Sequence, residues 1–223
     1  MPSSWIIWEL ISRFGGRPAL NSSNTVRSPD QLPLPRRIVV VGTSGAGKTT
    51  LAREVARRLA LPHVEIDALH WGPDWTEPPV ELFRQRVEAA LQGDRWVADG
   101  NYGKVRDLVW GRAEMLVWLD YALPLVMGRL VRRTLWRVFI REELWSGNRE
   151  RLRDHLFTRN SLWLWALQSH RRHRREYPVR FQRPEFCHLE VVRLRSPRAT
   201  SLWLSDLTRR AARAQEEQAG ADL

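Results

Sequence analysis

Three glycines, a lysine and a threonine stand at a spacing that suits phosphate chemistry. Gly42-Thr43-Ser44-Gly45-Ala46-Gly47-Lys48-Thr49, followed by Thr50, satisfies the pattern G-x-x-x-x-G-K-[ST]. Glycines permit backbone conformations that turn successive N–H groups inward on an anion, and a helix beginning at the end of such a loop adds its positive pole. In such a loop the Lys48 ammonium reaches the β- and γ-phosphates of a nucleoside triphosphate, and the Thr49 hydroxyl is suited to ligate Mg²⁺. Only two of the 36 basic residues are lysines, so an ammonium at this position is not a product of composition. The expected ligand is ATP with Mg²⁺, on residues 42–50.

Other groups could act on a bound nucleotide. Asp67, Asp99 and Asp120 each close a short apolar run: HVEID (63–67), RWVAD (95–99) and MLVWLD (115–120). Asp67 reads either as a carboxylate orienting an acceptor hydroxyl or joining the Mg²⁺ water shell, or as a helix or turn cap. His70, Trp71 and Trp75 follow in a loop containing glycine and proline; they suit a flat, stackable ligand and suit core packing equally. Basic residues crowd His170-Arg171-Arg172-His173-Arg174-Arg175. This cluster reads as a non-specific nucleic-acid surface through Arg171–Arg175, as a solvated helix face, or as part of a nucleotide lid.

The elements that must hold these groups follow from periodicity. RIVVVG (37–42) is a β-branched run expected to be a strand buried on both faces. A helix follows with Leu51, Val55 and Leu59 on one face and Ala52 and Ala56 beside them, ending near Pro62. The runs 63–67, 95–99, 115–120 and 188–194 give four further strands. Between them, Val80, Phe83, Val87 and Leu91 mark a helix opened by Pro78-Pro79; others are expected over about 124–140, 162–175 and 199–217. Strands alternating with helices predict a doubly wound α/β fold: five parallel strands in order 2-3-1-4-5, helices on both faces and a small helical lid. Residues 1–36, with NSSN, SPD and PLP clusters, read as a poorly structured extension. The domain is expected over 37–217, with a lid at about 138–160 and a tail at 218–223.

Composition narrows the class. The chain of 223 residues is 43% hydrophobic and 27% charged, enough for one sizeable core. Its single cysteine, Cys187, excludes an internal disulfide framework and fits a reducing cytoplasm. The most apolar stretch, 115–140, is broken by Asp120, Arg129, Arg132, Arg133 and Arg137, so no membrane partner is expected. The N-terminus lacks the basic start of a signal peptide. The net charge of +11 reflects either a compositional bias toward arginine or an anionic partner.

Val97-Ala98-Asp99-Gly100 resembles the Asp-Gly-Phe-Pro-Arg segment of adenylate kinases, which implies that Asp99 holds Mg²⁺-bound water; Asn101-Tyr102-Gly103 departs from that segment. Arg129 and Arg133 stand nine and thirteen residues after Asp120, offsets at which adenylate kinases carry arginines. The likeness implies that Arg129 covers the adenine ring and Arg133 contacts the transferring phosphates, with Arg137 close enough to share that role. The alternative is a solvated basic helix. A wider resemblance, over about 37–205, is to the bacterial adenylate-kinase-like family labelled DNA topology modulation proteins. It rests on Ile66-Asp67-Ala68-Leu69-His70-Trp71-Gly72-Pro73-Asp74-Trp75, on Trp96-Val97-Ala98-Asp99-Gly100-Asn101-Tyr102, and on Arg132-Arg133-Thr134 with Arg141-Glu142-Glu143-Leu144-Trp145. It implies a P-loop kinase core using ATP and leaves the phosphoryl acceptor undefined.

These readings predict a phosphotransferase of the nucleoside monophosphate kinase type. Lys48, Arg133 and Arg137 stabilise charge, Thr49 and Asp99 serve Mg²⁺, Asp67 faces an unidentified small-molecule acceptor, and the lid excludes water. Two other readings stay open at this point: an ATP-switched nucleic-acid-binding protein, and a small-metabolite kinase of the gluconate or shikimate type.

Overall fold

The structure is a computed structural model that describes residues 34–140, 145–147 and 162–221. The proposed extension, apart from its last three residues, and most of the proposed lid lie outside the described residues. Five strands form one parallel sheet in the order β2-β3-β1-β4-β5. They are β1 (Arg37–Gly42), β2 (His63–Glu65), β3 (Trp96–Asp99), β4 (Met115–Leu119) and β5 (Glu190–Leu194).

Ile38, Val39, Val40 and Val41 are wholly buried because β1 lies between β3 and β4 and is covered on both faces. One face carries α1 (Lys48–Leu59) and α7 (Pro197–Ala221). There Leu51, Ala52, Val55 and Leu207 pack with Ile38, Val40, Val97 and Val117. The other face carries α3 (Val80–Ala90), α4 (Arg106–Arg112) and α6 (Leu162–Phe181), which bury Phe83, Val87, Val109 and Tyr177 against Val39, Ala98, Leu116 and Trp118. Helix α5 (Leu123–Ile140) leaves the end of β4 and brings Val126 to the first core.

Several expected boundaries shift. Strand β2 stops at Glu65, and Ile66–His70 forms a short helix, α2, so Asp67 does not close a strand. The reason is the neighbour: β2 pairs only with β3, and β3 ends at Asp99, opposite Glu65. With no ladder left to join, the chain turns into helix. Helix α6 continues to Phe181 through Pro178, beyond the expected end at 175. Tyr177 is fully buried, and Phe181 packs on Trp110 at a ring separation of 5.5 Å; that burial outweighs the hydrogen bond lost at the proline. Helix α7 extends to Ala221, into the expected tail. Val80 stays exposed and does not join the α3 core face.

Candidate functional site

The loop between β1 and α1 lies at the carboxyl ends of the strands, with β3 on one side of β1 and β4 on the other. This crevice is where open α/β sheets bind ligands. Gly45 has a φ of 86°, and a Cβ there would come within 2.8 Å of the Val126 carbonyl oxygen. Only glycine fits at that point, because α5 presses on the loop from outside. Gly47, also left-handed, begins α1, and no side chain caps that helix. With no cap side chain, the first N–H groups of α1 are left to receive an anion.

The side chains around this loop form a connected set. Thr49 Oγ1 donates to Asp99 Oδ2 at 2.6 Å, and His63 Nε2 donates to Asp99 Oδ1 at 2.8 Å. Asp99, 1% exposed, is therefore held at both oxygens. Burial pulls the Lys48 ammonium below its ordinary pKa; the negative charges of Asp67 and Asp99 oppose this, and Arg133 adds to it. Arg129 Nη1 donates to the Ala46 carbonyl at 3.2 Å, and its guanidinium lies 5.2 Å from the Tyr121 ring centre. Arg133 and Arg137 follow at four-residue steps, so the three arginines share one face of α5. Arg137 is half-buried.

Asp67 reaches the same neighbourhood from α2. Burial pushes the Tyr102 phenol well above its usual range, with the Asp67 charge adding to the effect. Glu65 is also pushed up, first by burial and then by Asp99. The loop after α2 packs on itself: Trp71 and Trp75 meet edge to face at 5.5 Å, and His70 lies 4.8 Å from Trp71. The described part of the expected lid meets this loop. Ser146 Oγ donates to the Trp71 carbonyl at 2.9 Å, and Trp145 lies 6.5 Å from Trp75.

The cluster 170–175 does not form one basic surface. His170 Nε2 donates to the Tyr121 carbonyl at 2.9 Å, and the buried His173 stacks on Tyr177 at 4.6 Å. Arg174 Nε donates to Asp120 Oδ1 at 2.6 Å, while Arg193 binds Asp120 Oδ2 at 2.5 and 2.9 Å. Helix periodicity turns residues 170, 173 and 177 toward the sheet and leaves Arg171, Arg172, Arg174 and Arg175 exposed. Of the surface expected over Arg171–Arg175, Arg174 is taken up by Asp120, and Arg171, Arg172 and Arg175 remain exposed.

Sequence reading missed four residues that hold the site. His63 fixes Asp99, Asn101 bonds to Gly42, Tyr177 bonds to Asn101, and Arg193 shares Asp120 with Arg174. Asn101 had a local signal, because it directly follows Asp99-Gly100. The other three had none; they meet their partners only through the packing of β2, α6 and β5.

A parallel sheet in this order, with a G-x-x-x-x-G-K-T loop joining its central strand to a helix, is the P-loop NTPase fold. The family model described as "ATPase family associated with various cellular activities (AAA)" matches residues 38–96. No curated protein sequence is significantly similar to the chain. Among solved structures, a gluconokinase from Sinorhizobium meliloti 1021 is similar over 85% of this chain and 99% of its own, at 17% identity and a TM-score of 0.44. A shikimate kinase from Bacteroides thetaiotaomicron is similar over 82% and 99%, at 15% identity and a TM-score of 0.46. Among the described residues, no helix is long and apolar enough to cross a membrane.

Proposed function

We propose that this chain is a P-loop phosphotransferase that moves the γ-phosphoryl group of Mg·ATP to a small acceptor. The observation that carries the reading is the Thr49–Asp99 hydrogen bond beside Lys48, with Asp67 close to the same ammonium. A binding module needs the loop, the lysine and the hydroxyl. A transferase needs in addition groups that position an acceptor, and Asp67 and Tyr102 supply a carboxylate and a protonated phenol there.

The donor set fits the expected ligands. The uncapped start of α1 and the glycine-shaped loop suit polyphosphate, and a buried carboxylate bonded to a threonine hydroxyl suits Mg²⁺ bound with the nucleotide. Thr49 and Asp99 would hold that ion, which when bound neutralises charge on the β- and γ-oxygens.

In the proposed reaction an acceptor oxygen attacks the γ-phosphorus, the bond to the leaving ADP oxygen breaks, and Asp67 takes the acceptor proton. Lys48 and Arg133 stabilise the charge spreading over the phosphoryl oxygens, and Arg137 approaches the same charge. Arg129, bonded to the loop at Ala46, lines the side assigned to the adenine ring. Residues 138–160 exclude water as the lid, a role supported by the contact of Trp145 and Ser146 with the tryptophan loop. The closer kinship proposed is with the adenylate-kinase-like family labelled DNA topology modulation proteins, acting in the cytoplasm.

ADP release with Mg·ATP, measured across nucleoside monophosphates, nucleosides, sugar acids and duplex DNA, tests the reading. Acceptor-dependent ADP release with a matching phosphorylated product is expected for one small-molecule class. ADP release that responds to DNA alone, with no phosphorylated product, would replace it by an ATP-switched nucleic-acid binder.

A further inference from the structure

We propose that Asn101 is a positioning residue for the phosphate-binding loop, and that Tyr177 holds it in register. The inference rests on the nucleotide-binding reading and adds to it a helix that the loop motif does not contain. Gly42 is the last residue of β1 and the first of the loop. On its β4 side it still pairs with Leu119, but on its β3 side the ladder ends at Val40 opposite Asp99. The Asn101 carboxamide takes over where β3 stops. The Gly42 N–H donates to Asn101 Oδ1 at 3.2 Å, and Asn101 Nδ2 donates to the Gly42 carbonyl oxygen. One side chain thus satisfies both backbone groups of the residue from which the loop departs, as a neighbouring strand would.

The carboxamide has two possible orientations, and Tyr177 selects one. Its hydroxyl donates to the same Oδ1 at 3.2 Å, so the oxygen receives two donors and the amide nitrogen is left to face the Gly42 carbonyl. Tyr177 is wholly buried, and burial pushes its phenol above the ordinary range, which keeps the hydroxyl a donor. Its ring is fixed by stacking on His173 at 4.6 Å and by edge contacts with Trp110 and Trp118, both at 5.4 Å. Helix α6, far along the chain, therefore sets the start of the loop before any phosphate arrives. Such preorganisation lowers the ordering cost of binding.

Three variants test this: Asn101→Ala, which removes both bonds to Gly42; Asn101→Asp, which cannot donate to its carbonyl; and Tyr177→Phe, which removes one hydroxyl and keeps the core ring. The readouts are the Kd for Mg·ATP by calorimetry and amide hydrogen exchange of the nucleotide-free protein. Asn101→Ala is expected to weaken binding on the order of tenfold and to speed exchange over residues 42–47 while β4 and α1 stay protected. Tyr177→Phe shifts both in the same direction and by less. A merely structural role would instead speed exchange across the whole sheet, and that pattern, or unchanged affinity in both Asn101 variants, overturns the proposal. If the wild type bound no Mg·ATP, the phosphotransferase reading would fall, and the exchange experiment, which needs no ligand, would still decide the role of Asn101.

Discussion

The two sides of Lys48 are built differently. On the nucleotide side, the loop is fixed by backbone conformation and by short bonds to buried groups: Asp99 to Thr49 and His63, Asn101 to Gly42, and Arg129 to Ala46. On the acceptor side, Glu65, Asp67 and Tyr102 bring acidic groups close together, and burial or neighbouring charge raises the pKa of Glu65 and of Tyr102. Of the aromatic groups there, Trp71, Trp75 and Trp145 meet edge to face, while the buried His70 packs on Tyr102 at 4.4 Å and Phe83 at 4.7 Å. On the proposed reading, a half held by short bonds receives the nucleotide and faces a half whose charges await an acceptor. The difference suits an enzyme whose donor is fixed and whose acceptor completes the site.

The largest expected effect removes the charge at the boundary. Lys48→Ala should lower phosphoryl transfer by at least about 10³-fold, several kcal/mol of transition-state stabilisation, with an unchanged circular dichroism spectrum. Turnover within tenfold of wild type in the folded variant would erase the distinction between the two sides.

The second effect is on acid stability, and the two sides should respond in opposite senses. Burial, with the Lys48 charge next, lowers the pKa of His173 from 6.5 to about 3. The unfolded chain therefore binds a proton between those values that the folded chain refuses, and stability falls as pH drops from 6.5 toward 3, by up to about 4 kcal/mol. Glu65 has a raised pKa, so its contribution is present below the ordinary carboxylate range and is lost as pH rises through its folded value. Denaturant melts from pH 3 to 8 check this: His173→Gln should flatten the acid limb, and Glu65→Gln should raise stability near neutrality. Identical pH profiles for both variants would refute the contrast.

Asp67→Asn sharpens the comparison with a smaller change. It should lower transfer about 10²-fold while the Kd for Mg·ATP stays within about twofold, because the carboxylate acts on the acceptor. An equal loss of nucleotide affinity would move Asp67 to the nucleotide side. The smallest effect belongs to Arg174→Ala. Asp120 keeps Arg193, and the Arg174 side chain is 43% exposed, so a loss of about 1 kcal/mol in thermal unfolding is expected. Nucleic-acid affinity should fall by no more than the single phosphate contact of one arginine.

The loop, the central strand and Asp99 were legible because each is encoded locally. Four consecutive β-branched apolar residues ending in glycine favour a strand covered on both faces, and the glycines of 42–47 specify backbone conformations that other residues resist. The order 2-3-1-4-5, expected from strand one being the most apolar and from ligands lying at strand carboxyl ends, is the order found. Asp67 was placed at the end of a strand because HVEID carries no mark of where its neighbour stops. β3 ends opposite Glu65, and that register alone turns residues 66–70 into helix. The arginines of α6 stayed open between a nucleic-acid surface, a solvated face and a lid, because sequence shows their charge and not their direction.

The sequence by itself determined the phosphate loop, its flanking elements and the class of sheet, since these depend on torsion angles and periodicities set within a few residues. Tertiary structure decided which side chains lock the loop. His63 reaches Asp99 across 36 residues, Gly42 reaches Asn101 across 59, and Tyr177 reaches Asn101 across 76. Bonds at such separations have no spacing rule, because they form only once packing has brought strand ends and a helix face within hydrogen-bonding distance of one another.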